Sequence, residues 1–77
     1  MDSKTTLDAT GLLCPLPVLK ARKALKGMAT GEVLEVLATD PGAVKDFAAF
    51  CRTTGYQLVD SSAAAGIFRF AIRKTTQ

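Results

Sequence analysis

Two side chains in this 77-residue chain carry a thiol, Cys14 and Cys51, 37 positions apart, and no histidine occurs anywhere. Cys14 opens the run Cys14-Pro15-Leu16-Pro17. A helix predicted to start at Pro15, where a missing N–H is tolerated, makes Cys14 its N-cap. A thiol is nucleophilic only as thiolate, and a helix N-terminus favours that form through its partial positive charge and unpaired N–H donors. Pro15 and Pro17 remove two donors, leave the amides of Leu16 and Val18 to point at the sulfur, and stiffen the turn. Without histidine a Cys-His protease or acyltransferase is excluded, and Asp8 or Asp40 would be a poor general base for a thiol. Sulfane-sulfur transfer asks for nothing more than an accessible thiolate. It attacks the terminal sulfur of a donor persulfide, holds it as a Cys14 persulfide, and yields it to an acceptor on another protein.

The elements that must position Cys14 follow from the breakers Gly11, Pro15, Gly27, Gly31, Pro41, Gly55 and Gly66, which divide the chain into six short segments. Thr5 to Ala9 alternates and reads as a strand, and Glu32 to Ala38, rich in Val and Leu, reads as a more buried one. Pro15 to Gly27 reads as the first helix, with Gly27 as a left-handed stop. Val18, Ala21, Ala24, Leu25 and Met28 share its apolar arc, and Lys20, Arg22, Lys23 and Lys26 take the other. Asp40-Pro41 opens a second helix, with the Asp40 carboxylate as its cap, and Gly55 ends it. There Val44, Phe47, Ala48, Phe50 and Cys51 form the buried arc, while Lys45, Asp46, Arg52 and Thr53 face outward. Cys51 is therefore predicted to be core.

Tyr56 to Asp60 and Ile67 to Lys74 read as an antiparallel hairpin joined by the small-residue segment Ser61 to Gly66, with Phe68, Phe70 and Ile72 on one side. The order is β-α-β-α-β-β. Right-handed crossovers then put two helices on one face of a mixed four-stranded sheet, an α/β fold of the two-layer α/β sandwich type. The length suits a single domain, residues 1–77, with an ordered core of about residues 5–75.

Composition narrows the classes further. Two distant cysteines without histidine suit neither a metal centre nor a secreted disulfide framework, so no metal, no organic cofactor and a reducing compartment are expected. No apolar run reaches the roughly 18 residues of a membrane span, and the polar opening MDSKTTLDATG lacks the apolar core of a signal peptide, which predicts a cytoplasmic protein. The net charge of +3 is a modest basic excess. Lys20, Arg22, Lys23 and Lys26 read first as a solvated helix face. In the functional reading they flank Cys14, lower its pKa and steer acidic partner surfaces toward it, with Arg69, Arg73 and Lys74 adding to the patch.

The segment Leu7-Asp8-Ala9-Thr10-Gly11-Leu12-Leu13-Cys14-Pro15-Leu16-Pro17-Val18 resembles the signature of the TusA/SirA-like sulfur-carrier family, Cys-Pro-x-Pro opening the first helix after an L-D-x-x-G strand end. The resemblance continues through Gly31-Glu32, Thr39-Asp40-Pro41, Phe50-Cys51 with Gly55, and Ile72-Arg73-Lys74. It implies that Cys14 accepts sulfur from a cysteine desulfurase or rhodanese-type donor protein and passes it to a downstream acceptor protein. The family's relays serve tRNA thiolation, sulfur supply for molybdenum cofactor, or sulfur oxidation. Members of the tRNA pathway often have Glu between the prolines and Arg before the cysteine. Here Leu16 and Leu13 stand there, which predicts docking on an apolar patch of a partner and, with no carboxylate at that place, easier thiolate formation.

Two other readings use the same residues. A non-catalytic regulatory or RNA-binding module would work through the basic helix face, with Cys14 only as a cap, and would lose affinity steeply with salt. A thiol redox module would want a second cysteine where Pro17 stands, and it ranks last.

Overall fold

The computed structural model describes residues 4–75. Six elements follow the expected order: β1 (Lys4–Ala9), α1 (Leu16–Lys26), β2 (Val33–Ala38), α2 (Ala43–Thr54), β3 (Gln57–Ala64) and β4 (Ile67–Arg73). The strands form one mixed sheet in the order β1-β2-β4-β3. β1 pairs parallel with β2, and β4 lies antiparallel to both β2 and β3.

Alternation along the strands sends Ala9, Leu34, Val36, Ala38, Phe70 and Ile72 to one face, where they are fully buried. Both helices cover that face. α1 contributes Pro17, Ala21 and Leu25, and α2 contributes Ala43, Phe47 and Cys51, each set at the i, i+4, i+8 spacing of a narrow helical stripe. Phe47 stacks on Phe70 with ring centroids 4.6 Å apart and meets the edge of Phe50 at 6.5 Å, which fastens α2 to the sheet. The predicted α1 arc holds, with Pro17 added to it, whereas on α2 Val44 and Ala48 prove exposed. One helical turn before Phe47 the buried position is Ala43, because the stripe that meets the sheet runs one residue ahead of the periodicity reading. The opposite sheet face carries Thr6, Glu35 and Arg69, joined by a Thr6-to-Glu35 hydrogen bond of 3.3 Å and an Arg69–Glu35 ion pair of 3.6 Å.

The hairpin differs from expectation. Ser61 to Ala64 continue β3 instead of looping, paired across to Phe70, Arg69, Phe68 and Ile67, and the connection shrinks to Ala65-Gly66. Both turn residues have positive φ, 54° and 80°, the backbone sense that matches the twist of the flanking strands. A register shift between Leu58 and Asp60 makes Val59 an extra residue on this edge strand. Because alanine is strained at positive φ and asparagine much less so, Ala65→Asn is expected to stabilise the protein by about 0.5–1 kcal/mol, read from the denaturant midpoint.

Helix ends also depart from the sequence reading. Gly55 closes α2 in the left-handed region, φ 84°, its N–H on the Cys51 carbonyl at 2.9 Å. Gly27 is not left-handed, with φ −89°. The α1 carbonyl end is satisfied from elsewhere: the Lys74 ammonium donates to the Met28 carbonyl at 2.7 Å and the Lys26 carbonyl at 3.3 Å. A cation at a helix C-terminus makes a left-handed turn unnecessary. Lys74 is thus occupied in the fold. Arg69 and Arg73 alternate with the buried Phe70 and Ile72 onto the face away from the helices, so the sheet separates these two from the proposed basic patch.

Candidate functional site

The site is assembled where the β1–α1 and β2–α2 connections meet. Asp8 turns the chain at the end of β1: Oδ1 accepts the Thr10 hydroxyl at 2.6 Å and the Thr10 amide at 3.0 Å, and these bonds hold the Asp8 carboxyl below its usual range. Gly11 follows with φ 79°, and its amide donates to the Thr39 hydroxyl at 2.9 Å, tying the two connections together. The Cys14 amide then donates to Asp40 Oδ2 at 2.6 Å, while Asp40 Oδ1 accepts the Gly42 amide at 3.2 Å. The carboxylate of one loop therefore fixes the backbone of the other at the cysteine.

Asp40 was expected to cap α2. The N-cap is Gly42, with no side-chain bond to the helix, because the Asp40 carboxylate is engaged one turn earlier and across the cleft. Gly42 also lies close beneath the thiol residue, since a Cβ there would come within 3.7 Å of the Cys14 Cβ.

Cys14 was expected to be the N-cap of α1, and it sits one residue outside. The Leu19 amide donates to the Pro15 carbonyl at 3.1 Å, so Pro15 is the N-cap and Pro17 the second helical residue. The Cys14–Pro15 bond is cis. The Leu16 amide closes a turn onto the Leu13 carbonyl at 2.8 Å and is not available to the sulfur as expected. The thiol instead donates a hydrogen bond to Asp46 Oδ2 on α2. That bond, partial withdrawal from water, and the charges of Asp46 and Asp40 push the Cys14 thiol above the ordinary thiol value. The sequence reading pointed the other way: a thiolate favoured by the helix N-terminus, eased by the lack of a carboxylate between the prolines and, in the functional reading of the basic face, lowered by the α1 cations.

Of the four α1 cations, Arg22 alone lines the open groove of about 390 Å³ that runs from Cys14 between the helices, floored by Val18, Ala49 and Phe50. Lys20, Lys23 and Lys26 are exposed beyond it. Lys23 and Lys26 lie in the last turn of α1, where they favour the helix dipole. Next to the thiol in the chain Leu13 and Leu16 are 72% and 45% exposed, and Leu19 one turn further is 52% exposed, so the apolar surface expected from Leu13 and Leu16 is exposed and extends along α1. Pro17, expected only to stiffen the turn, is buried in the core. Cys51 is buried as predicted, its thiol pushed up by burial, and both cysteines are free.

Sequence reasoning missed Asp46 because on an isolated helix it falls outside the apolar arc. The signal was present as a second stripe, Asp46, Ala49, Phe50 and Thr53, at i, i+3, i+4, i+7, which faces α1. Among the described residues no group of three or more His, Cys, Asp or Glu is placed to hold a metal ion. No helix there is long and apolar enough to cross a membrane.

An exposed thiol at the mouth of a cleft between two helices, backed by a four-stranded mixed sheet, defines a small α/β thiol protein of the SirA-like fold. A SirA-like protein from Desulfitobacterium hafniense superposes with a TM-score of 0.80 at 28% identity, covering 94% of this chain and 99% of that one. The sequence profile of the sulfurtransferase TusA family matches residues 5–74, and the chain belongs to that family. The sulfur carrier protein TusA of Allochromatium vinosum is 53% identical over 74 residues, 96% of this chain and 97% of that protein. That of Pseudomonas entomophila is 45% identical over 69 residues, 90% and 86% of the two chains.

Proposed function

We propose that this protein is a sulfur carrier that takes sulfane sulfur onto Cys14 as a persulfide and delivers it to an acceptor protein. The observation that carries the reading is the exposure of the Cys14 thiol at the end of an open groove, in a chain of the sulfurtransferase TusA family. The reaction balances without an oxidant. The Cys14 sulfur bonds to the terminal sulfur of the donor persulfide, the donor S–S bond breaks, and the Cys14 proton ends on the departing donor thiol. Pro15 and Pro17 shape the turn that presents the sulfur. The protein is one domain and acts in the cytoplasm, between a donor of the cysteine desulfurase or rhodanese type and a downstream acceptor. The relay it serves is one of tRNA thiolation, sulfur supply for molybdenum cofactor, or sulfur oxidation. Incubation with a desulfurase or rhodanese loaded with sulfur should add one sulfur atom to the peptide containing Cys14, detected by mass. Failure to load from both donor types defeats the proposal.

The exposed leucines support docking through apolar contact, with the exposed Lys20 and Lys23 one turn along α1 from Leu16 and Leu19 to steer an acidic surround. Leu13→Arg with Leu16→Glu should leave the fold intact and slow transfer with the native partner at least about tenfold, since burying two large apolar side chains contributes a few kcal/mol. Unchanged transfer kinetics would remove these leucines from the partner surface.

A further inference from the structure

Asp46 lies on the α2 stripe that faces α1, so helix packing rather than loop conformation holds its carboxylate at the Cys14 sulfur. The other charged groups at the thiol come from different elements. Asp40, in the β2–α2 connection, accepts the Cys14 amide at 2.6 Å, and Arg22, on α1, lines the same groove. A carboxylate beside a thiol accepts a hydrogen bond from the protonated sulfur and repels the deprotonated one, so it discriminates between the two states of one atom. Asp40 acts on the backbone and only through space on the sulfur, whereas Asp46 touches the sulfur itself.

Resting on the reading that Cys14 carries sulfur, we infer that Asp46 is a positioning residue that keeps the proton on the Cys14 sulfur while the protein is free, restraining its reaction with stray electrophiles. The open groove leaves Asp46 within reach of whatever docks over Cys14, so the restraint operates where a partner can relieve it. An apolar side chain in the place of Asp46 would impose no such hold. Thiolate concentration at neutral pH follows directly, because each pH unit in the thiol midpoint changes it about tenfold.

The test is the pH dependence of iodoacetamide alkylation on the full chain, scored by mass at the Cys14 peptide so that Cys51 does not contribute. Wild type should alkylate with a midpoint above that of free cysteine. Asp46→Asn should lower the midpoint by about one unit and speed alkylation at neutral pH about tenfold. Asp46→Ser should shift it likewise, and Asp40→Asn should shift it less. Circular dichroism confirms that each variant is folded. An unmoved midpoint in Asp46→Asn, a shift confined to Asn and absent in Ser, or an equal shift in Asp40→Asn would each overturn the inference. Persulfide loading is scored separately. A shifted midpoint without loading defeats the carrier reading and keeps the role of Asp46, while normal loading with an unmoved midpoint defeats only the latter.

Discussion

Cys14→Ser is expected to abolish sulfur loading outright and to bring transfer to an acceptor down to background. The substitution exchanges one atom at an exposed position, and the hydroxyl can still donate to Asp46 while the amide stays on Asp40. Stability should therefore move by no more than the roughly 0.5 kcal/mol usual for surface changes. A serine oxygen is not a nucleophile toward a persulfide at neutral pH, so nothing at the site replaces the sulfur. Cys51→Ala should load normally, because Cys51 is 6% exposed and packs in the core. Mass before and after incubation with a loaded donor protein checks both variants. Residual loading of Cys14→Ser would move the carrier site to Cys51.

The largest effect on stability is expected from Phe47→Ala, a loss of about 3–5 kcal/mol. Phe47 has no exposed surface, stacks on Phe70 of the central strand and meets the edge of Phe50. A domain of this size has only about 5–15 kcal/mol in total, so much of the margin goes with this ring. The chemistry goes too. Asp46 directly precedes Phe47 and Gly42 leads into the same helix, so loosening α2 releases the carboxylate from the thiol and the floor from beneath Cys14. Denaturant unfolding measures the loss. Labelling of Cys51 gives a second measure, since that thiol is shielded by the same packing. A loss below about 1 kcal/mol would mean that the cavity collapses and α2 docks without this ring.

The two-layer architecture was legible in the residues because each element buries a simple stripe. Val36 and Leu34 alternate with Glu35, Phe70 and Ile72 with Arg69, and Ala21 and Leu25 repeat at one helical turn. Local signals failed where a partner distant in sequence supplied the missing group. Gly27 suggested a left-handed stop, yet Lys74 satisfies those carbonyls from 46 and 48 positions away. Asp40 suggested a helix cap, yet its carboxylate spans 26 positions to the Cys14 amide. The same holds for the thiol. Cys14 was identifiable from its prolines and from the absence of histidine, but its thiol is shifted by Asp46 and Asp40, and of the four α1 cations only Arg22 lines its groove. Helical periodicity assigns a face relative to the sheet and is silent on which residues meet the neighbouring helix, which is why Asp46 was read as outward.

The position of β4 between β2 and β3 bears on how the protein comes into being. A chain leaving the ribosome delivers both helices and three strands before the strand that joins them, and β2, with β1 already made on one side, must wait for its other partner roughly 30 to 40 residues downstream. Until β4 arrives, Phe47 lacks the ring it stacks on and α2 lacks its seat. The thiol-bearing end of the molecule is then incomplete as well, although Cys14 was among the first residues made. On the proposed function, a sulfur donor that reads the folded site is therefore expected to load finished molecules and to pass over nascent chains.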